Sequence, residues 1–360
     1  MQATSNHGGV QPQDQQDDGD MRAQFVQTLL SRRSEAIAGR AGSGIEEEWT
    51  EDEEHYQGID DANRAYQNAN QLFRGRKAAM IGTAPSNSGP TRSVVFLNIT
   101  RPYTDAASAR VSDMLLPTDD RAWEIKPTPL LAQSMGMADP AEAQAQIEAN
   151  QAQAQQSAAK MQEAIEDPLV ESNWHGEVRQ VIEDAARIGS GVLKGPFPIQ
   201  REDRMVSRDA ITGLTSVVRV DSIKPGSKRI DPWNFFPDPA CGEDLLHGSY
   251  TWEREYIGKR QIKAMLSDES YDRAELLAVL REGPARTRQG TEAVHRASDD
   301  EFEMWIFYGH CARDHLMEIG VELDDGDEDR MPTMAVMLND RLVKTVQSPI
   351  ESGEFPFDVL

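Results

Sequence analysis

Near residue 190 the spacing of apolar residues changes, and no single kind of secondary structure can satisfy both patterns. Before it, Trp174, Val178, Val181, Ile182, Ala185 and Ile188 recur every three or four positions, which places them on one face of a helix. After it the spacing shortens towards two in Ser216–Val220, Tyr250–Arg254, Phe302–Tyr308, Met334–Leu338 and Leu342–Val346, the period of strands. A helix over about Lys259–Leu280 interrupts these strands, and a polar loop, Arg281–Arg296, follows it. The expected fold is therefore α+β, with a helical N-terminal half followed by a mostly antiparallel sheet with helices. Gly189, Gly191, Gly195 and Pro196 end the long helix, so Gly189–Ser190–Gly191 reads as a helix terminus rather than a nucleophile elbow.

The N-terminal half divides by composition. Residues 1–57 form an acidic segment expected to be largely disordered, because residues 1–20 are rich in Gln, Asp and Gly and bring little to bury. Within it Asp20 is placed to cap a short helix carrying Phe25, Val26, Leu29, Leu30 and Ile37, which Gly39–Gly44 then break. The acidic run Glu46–Glu54 reads as a solvated segment leading into a helix, rather than a partner-binding tail. Residues 58–136 are expected to be helical. Ile59, Ala62, Tyr66, Ala69 and Phe73 share one face, Ala84–Pro90 forms a loop, and Val94–Leu97 is a short buried strand or a helix start. A further helix begins at Thr100–Pro102 with Tyr103, Ala107, Arg110, Val111, Met114 and Leu115 on one side, and Pro117 ends it. Residues 137–166 are Ala- and Gln-rich, with a capped start at Asp139–Pro140. They form a helix that projects or packs on a copy of itself, or else a low-complexity linker. Residues 167–360 hold the long helix and the strands. The apolar ending, Gly353–Leu360, is the first sign that a longer protein continues from here.

Charge and cysteine content narrow the function. The chain carries 61 Asp and Glu against 37 Lys and Arg, a formal charge of −24. Broad adhesion to nucleic acid comes from neutralising phosphates, so this balance argues against it; a local patch, or passage of DNA without sticking, stays compatible. No apolar run approaches the ~20 residues of a membrane helix, and the first twenty residues lack a signal-peptide core. Two cysteines, Cys241 and Cys311, build no disulfide framework, which fits a reducing compartment.

The sequence carries no strong catalytic or nucleotide-binding signature. There is no GxxxxGK[ST], GxSxG or HExxH pattern. Asp324–Asp329 resembles a calcium loop, but with Gly326 at the glycine position the first ligand would fall on Val321; a solvated turn between two strands fits better. His310, Cys311 and His315 match no standard zinc spacing. Lys224–Arg229 reads as a turn between strands with solvated charges, and the dispersed tryptophans read as core or subunit anchors. No catalytic residue, metal or cofactor is expected.

Three stretches, taken together, resemble the portal proteins, or head-to-tail connectors, of short-tailed bacteriophages. They are Asn98–Arg101 through Met114–Trp123 to Pro127–Pro129; Val181–Ala185 with Gly189 and Gly191–Pro196; and Ile223–Pro225 with Arg229–Pro239. The resemblance runs over roughly residues 58–360 and rests on order and spacing more than on any single motif. It implies a non-enzymatic subunit of a dodecameric ring at one capsid vertex, through which DNA is packaged and later ejected. It also implies partners: terminase, scaffold and major capsid protein, and tail adaptor proteins, with DNA passing through the channel and no membrane. The implied location is the virion, and the host cytoplasm during assembly. The chain looks like the wing portion, ending before stem, clip and crown.

Ring subunits use heterologous interfaces that must close. On that reading Arg101, Arg110, Asp119, Asp120 and Arg121 are expected to form ion pairs within or between wings, with Trp123 beside them. Trp233, Phe235 and Phe236 are expected to pack the Pro-bounded turn. The acidic balance would keep such a conduit from gripping phosphate. Two other classes compete with this reading. One is a non-channel virion adaptor or scaffold-binding protein that recruits partners through the acidic N-terminus and the Ala/Gln helix. The other is a metal-dependent hydrolase hidden among the carboxylates.

Overall fold

The computed structural model describes residues 12–58, 98–116, 124–127, 140–208, 215–242, 244–285, 301–324, 328–350 and 353–360. It has two compact units, one built from residues 1–49 and 230–359 and the other from residues 50–229 with Leu360. Helices and antiparallel strands are both present, as the two apolar periods require.

The first unit is organised by a five-stranded sheet in the order β3 (Phe235–Pro237), β4 (Tyr250–Ile257), β5 (Phe302–Ala312), β6 (Arg330–Leu338) and β7 (Arg341–Gln347), antiparallel throughout. Central β5 is buried on both faces, so its sequence is a nearly unbroken apolar run rather than a clean alternation. Register puts Trp252 beside Phe307, Trp305 beside Met337 and Phe307 beside Ala335, all on one face. Onto that face α1 (Pro12–Ser43) lays Phe25, Leu29, Ala36 and Ile37. Large buried rings such as Trp252, Trp305 and Phe307 each remove some 150–250 Å² from water, which makes this the energetic centre of the unit. On the other face Phe235 meets Phe357 of β8 (Phe357–Val359), ring centroids 5.0 Å apart.

In the second unit, α3 (Thr100–Leu115), α4 (Pro140–Glu171) and α5 (Trp174–Ile188) precede the neighbouring strands β1 (Val192–Arg208) and β2 (Thr215–Ile230). Helix α5 packs against α3, α4 and β1. It buries Val181, Ile182 and Ile188 and ends at Gly189, whose φ of 74° lies where glycine is favoured. Helix α2 (Ile45–Gln57) contributes residues to both units.

Several expectations are corrected. Residues 21–57 form α1 and α2 and bury Phe25, Leu29, Trp49 and Tyr56, because the sparse apolar positions of these helices find a large surface to cover. Helix α1 starts at Pro12, so Asp20 is no cap, and it runs through Gly39 and Gly42 to end at Ser43 before Gly44 (φ 77°). The helix expected over 259–280 is two, α6 (Lys259–Met265) and α7 (Arg273–Glu282), because Asp272 starts a new one by accepting from the Ala274 and Glu275 N–H groups. Residues 224–229 lie within β2, not in a turn. Asp324 follows α8 (Arg313–Glu318) and precedes β6, so its segment links a helix to a strand. The Ala/Gln-rich helix does form, as α4, and passes through Pro168 to Glu171. Strand β1 was not expected at all. The readings at 59–73, 84–90, 94–97 and Pro117 lie outside the described residues.

Candidate functional site

Among the described residues no group of three or more His, Cys, Asp and Glu is placed to hold a metal ion. The two cysteines are free, and burial pushes both thiols up. What the structure does assemble from the expected residues is a buried cluster in the first unit and an exposed surface in the second.

The buried cluster forms at Pro232–Asn234, a short 3-10 turn started by Asp231, which accepts from the Trp233 N–H. Trp233, Phe235 and Phe236 are all buried there, as the Pro-bounded turn predicts. Their organiser is Arg40 of α1. Its guanidinium lies 3.6 Å from the centre of the Phe236 ring, pairs with Glu46 at 2.7 Å, and donates to the carbonyls of Trp233 and Phe235, both at 3.0 Å. Trp49 closes the cluster edge-on to Trp233 at 5.2 Å. Burial pulls the Arg40 guanidinium down to about 10, against the opposing pull of Glu46. The planar five-donor fork explains why arginine stands here: it serves a carboxylate, two carbonyls and a ring face together. Every group faces inward, so this cluster fixes the turn.

The exposed surface is on α3. Tyr103, Val111, Met114 and Leu115 stand on its outer side, Tyr103 and Met114 about three-quarters exposed (73% and 75%), with Arg110 exposed among them. The inner side holds the helix in place. Asp105 accepts from the Tyr56 hydroxyl at 2.8 Å, and Asn98 donates to the Tyr56 carbonyl at 2.8 Å. The Asp105 hydrogen bond, with burial, pushes the Tyr56 phenol up. Arg101 and Arg187 lie 5.3 and 5.0 Å from the Tyr56 ring centre, and Arg187 also pairs with Glu53. Arg101 thus has partners within this chain, Tyr56 and, at 3.8 Å, Asp105. Asp119, Asp120, Arg121 and Trp123 lie outside the described residues.

Arg40, Tyr56 and Arg187 were not singled out from sequence, and Arg229 entered only as a solvated charge in Lys224–Arg229 and within a resembling stretch. Arg229 bridges β2 to α5, donating to Asp184 at 2.8 Å and through its backbone N–H to Glu177 at 2.7 Å. Only spacing along α5 could have hinted at this: Glu177 and Asp184 fall seven residues apart, two turns along one face.

Compared with known proteins, the chain matches no family model, and it matches no protein of curated function.

Proposed function

We propose that this chain is a subunit of a phage portal ring, contributing its wing portion, and that it works by assembly rather than catalysis. The ring would sit at one capsid vertex in the virion, conduct DNA during packaging and ejection, and meet terminase, scaffold, major capsid and tail adaptor proteins. The sequence resemblance supplies the family. The observation that carries the reading is the outer side of α3, where four large apolar residues and Arg110 lie open to water within one of the resembling stretches. A contiguous apolar face on a helix marks a contact surface, and in a ring the occupant is the neighbouring copy.

Native mass spectrometry with negative-stain imaging of the full-length gene product tests this. Rings with a central hole are expected, and Met114→Glu should reduce them to monomers while leaving the circular dichroism unchanged. A product that stays monomeric at high concentration, or rings indifferent to Met114→Glu, would overturn the reading. The exposed Met161, Ile165 and Val170 of α4 favour a second reading, a non-channel virion adaptor or scaffold-binding protein. Assemblies without a hole would favour it.

A further inference from the structure

The two edges of the five-stranded sheet differ. At one, β3 has three residues and ends on Pro237, which blunts it against pairing. At the other, β7 is only partly covered. Its register with β6, with the Ser348 N–H bonded to the Pro332 carbonyl, turns the backbone groups of Lys344 and Val346 inward and those of Val343, Thr345 and Gln347 outward. The outward Val343 carbonyl already accepts from the Asp272 N–H at 2.7 Å, as though a sixth strand had begun there. The line then stops: the outward N–H and C=O of Thr345 have no backbone partner among the described residues.

A cleft of about 340 Å³ wraps this edge, within the size range of small binding sites. Tyr271, Ile319 and Val321 line it together with Arg22, Lys344 and Thr345, and so do the acidic residues Glu269 and Asp272. Arg22 is used, pairing with Asp272 at 2.7 Å. Burial would raise the Asp272 carboxylate, but the Arg22 hydrogen bond and the helix N–H groups hold it below its usual range. Lys344 is not used in this way. Half-buried, it rests its ammonium 4.6 Å from the centre of the Tyr271 ring and has no ion pair among the described residues. The Thr345 hydroxyl is buried and has no hydrogen-bond partner among the described residues. Asp268 attracts the Lys344 ammonium only from beyond ion-pair distance; half-burying a cation with no carboxylate in contact is costly, and so is an unmet buried hydroxyl.

We propose that this cleft binds an extended acidic segment of a partner protein, which continues the strand begun at Asp272 along β7 and places a carboxylate on the Lys344 ammonium. Strand addition supplies the backbone bonds, and the lysine selects acidic over neutral sequences. The assignment does not depend on ring assembly.

The test uses the full chain and a labelled peptide, Val-Glu-Val-Asp-Val, followed by fluorescence polarisation. The acidic peptide should bind, and Val-Gln-Val-Asn-Val should bind about tenfold more weakly, as loss of a charge-assisted hydrogen bond predicts. Lys344→Met should weaken the acidic peptide to the same degree, and bound peptide should slow hydrogen exchange at the Thr345 amide. Equal binding of the neutral peptide, indifference to Lys344→Met, or unchanged exchange at Thr345 would each overturn the assignment. Full displacement by inorganic phosphate at matched ionic strength would reduce the cleft to an anion site and overturn strand addition. Self-association abolished by Lys344→Met would put a second copy there and overturn the choice of partner.

Discussion

Arg40 shows how much of one unit can hang on a single side chain. Its side chain is 9% exposed and that of Glu46 10%, so removing the cation alone leaves a carboxylate buried without its arginine. Arg40→Met should therefore cost about 3–5 kcal/mol in denaturant unfolding, the range for breaking a buried pair. The double variant Arg40→Met, Glu46→Met should recover part of that loss, since it removes the stranded charge while keeping apolar volume over Phe236. Additive losses would show that the pair is not coupled. The cluster was only half legible beforehand. Trp233, Phe235 and Phe236 stand out beside Pro232 and Pro237, because aromatic residues next to prolines mark a packed turn. Arg40 lies almost two hundred residues away, in the Gly39–Gly44 stretch that reads as a helix break. Nothing local says that its guanidinium will stack on a ring of a strand.

At the scale of elements, periodicity was a good guide where one face is buried and a poor one where both are, or neither. Helix α5 was readable because Val181, Ile182 and Ile188 go in and Glu183 stays out. The later strands were readable from short β-rich runs, whereas β1, interrupted by Gly195, Pro196 and Pro198, was not. Helix α1 is the instructive failure, because the glycines near its end read as a break. Two of those glycines now make opposite predictions. A Cβ at Gly39 would lie 2.2 Å from Pro239 Cγ, so glycine is there to let α1 approach the loop after β3. A Cβ at Gly42 would meet nothing within 4 Å. Gly39→Ala should destabilise by about 1–3 kcal/mol, as overpacking does. Gly42→Ala should be neutral or stabilise by up to about 1 kcal/mol through helix propensity. Thermal melts of the two variants decide it, and equal shifts would mean that the close approach to Pro239 is not what keeps glycine at 39.

For the molecule as a whole, the chain order of the two units matters more than their content. The first is discontinuous: residues 1–49 leave it, residues 50–229 form the second, and Ile230 brings the chain back. Domain insertions of this kind are tolerated where the two cut ends lie close together and the host keeps its own core. Both conditions hold for the first unit. Trp49, its last residue before the excursion, touches the Trp233 ring just after the return, and the core of α1 against Trp252, Trp305, Phe307 and Met337 lies wholly within it. Replacing residues 50–229 with a short Gly/Ser linker should therefore leave a folded protein. Only Ile45–Trp49 of α2 would remain, but they include Glu46, the partner of Arg40, and Trp49, so the cluster that fastens α1 to the turn survives the cut. The shortened chain should keep the near-ultraviolet dichroism of packed tryptophans and unfold in one cooperative transition. A molten product, with strand signal but no aromatic signature, would mean that the sheet draws its stability from residues 50–229 and that the first unit is not independent. If it folds, the same shortened chain isolates the β7 cleft from the α3 surface. Peptide binding should then persist while the proposed ring assembly is lost, because the cleft and the α3 surface belong to different units.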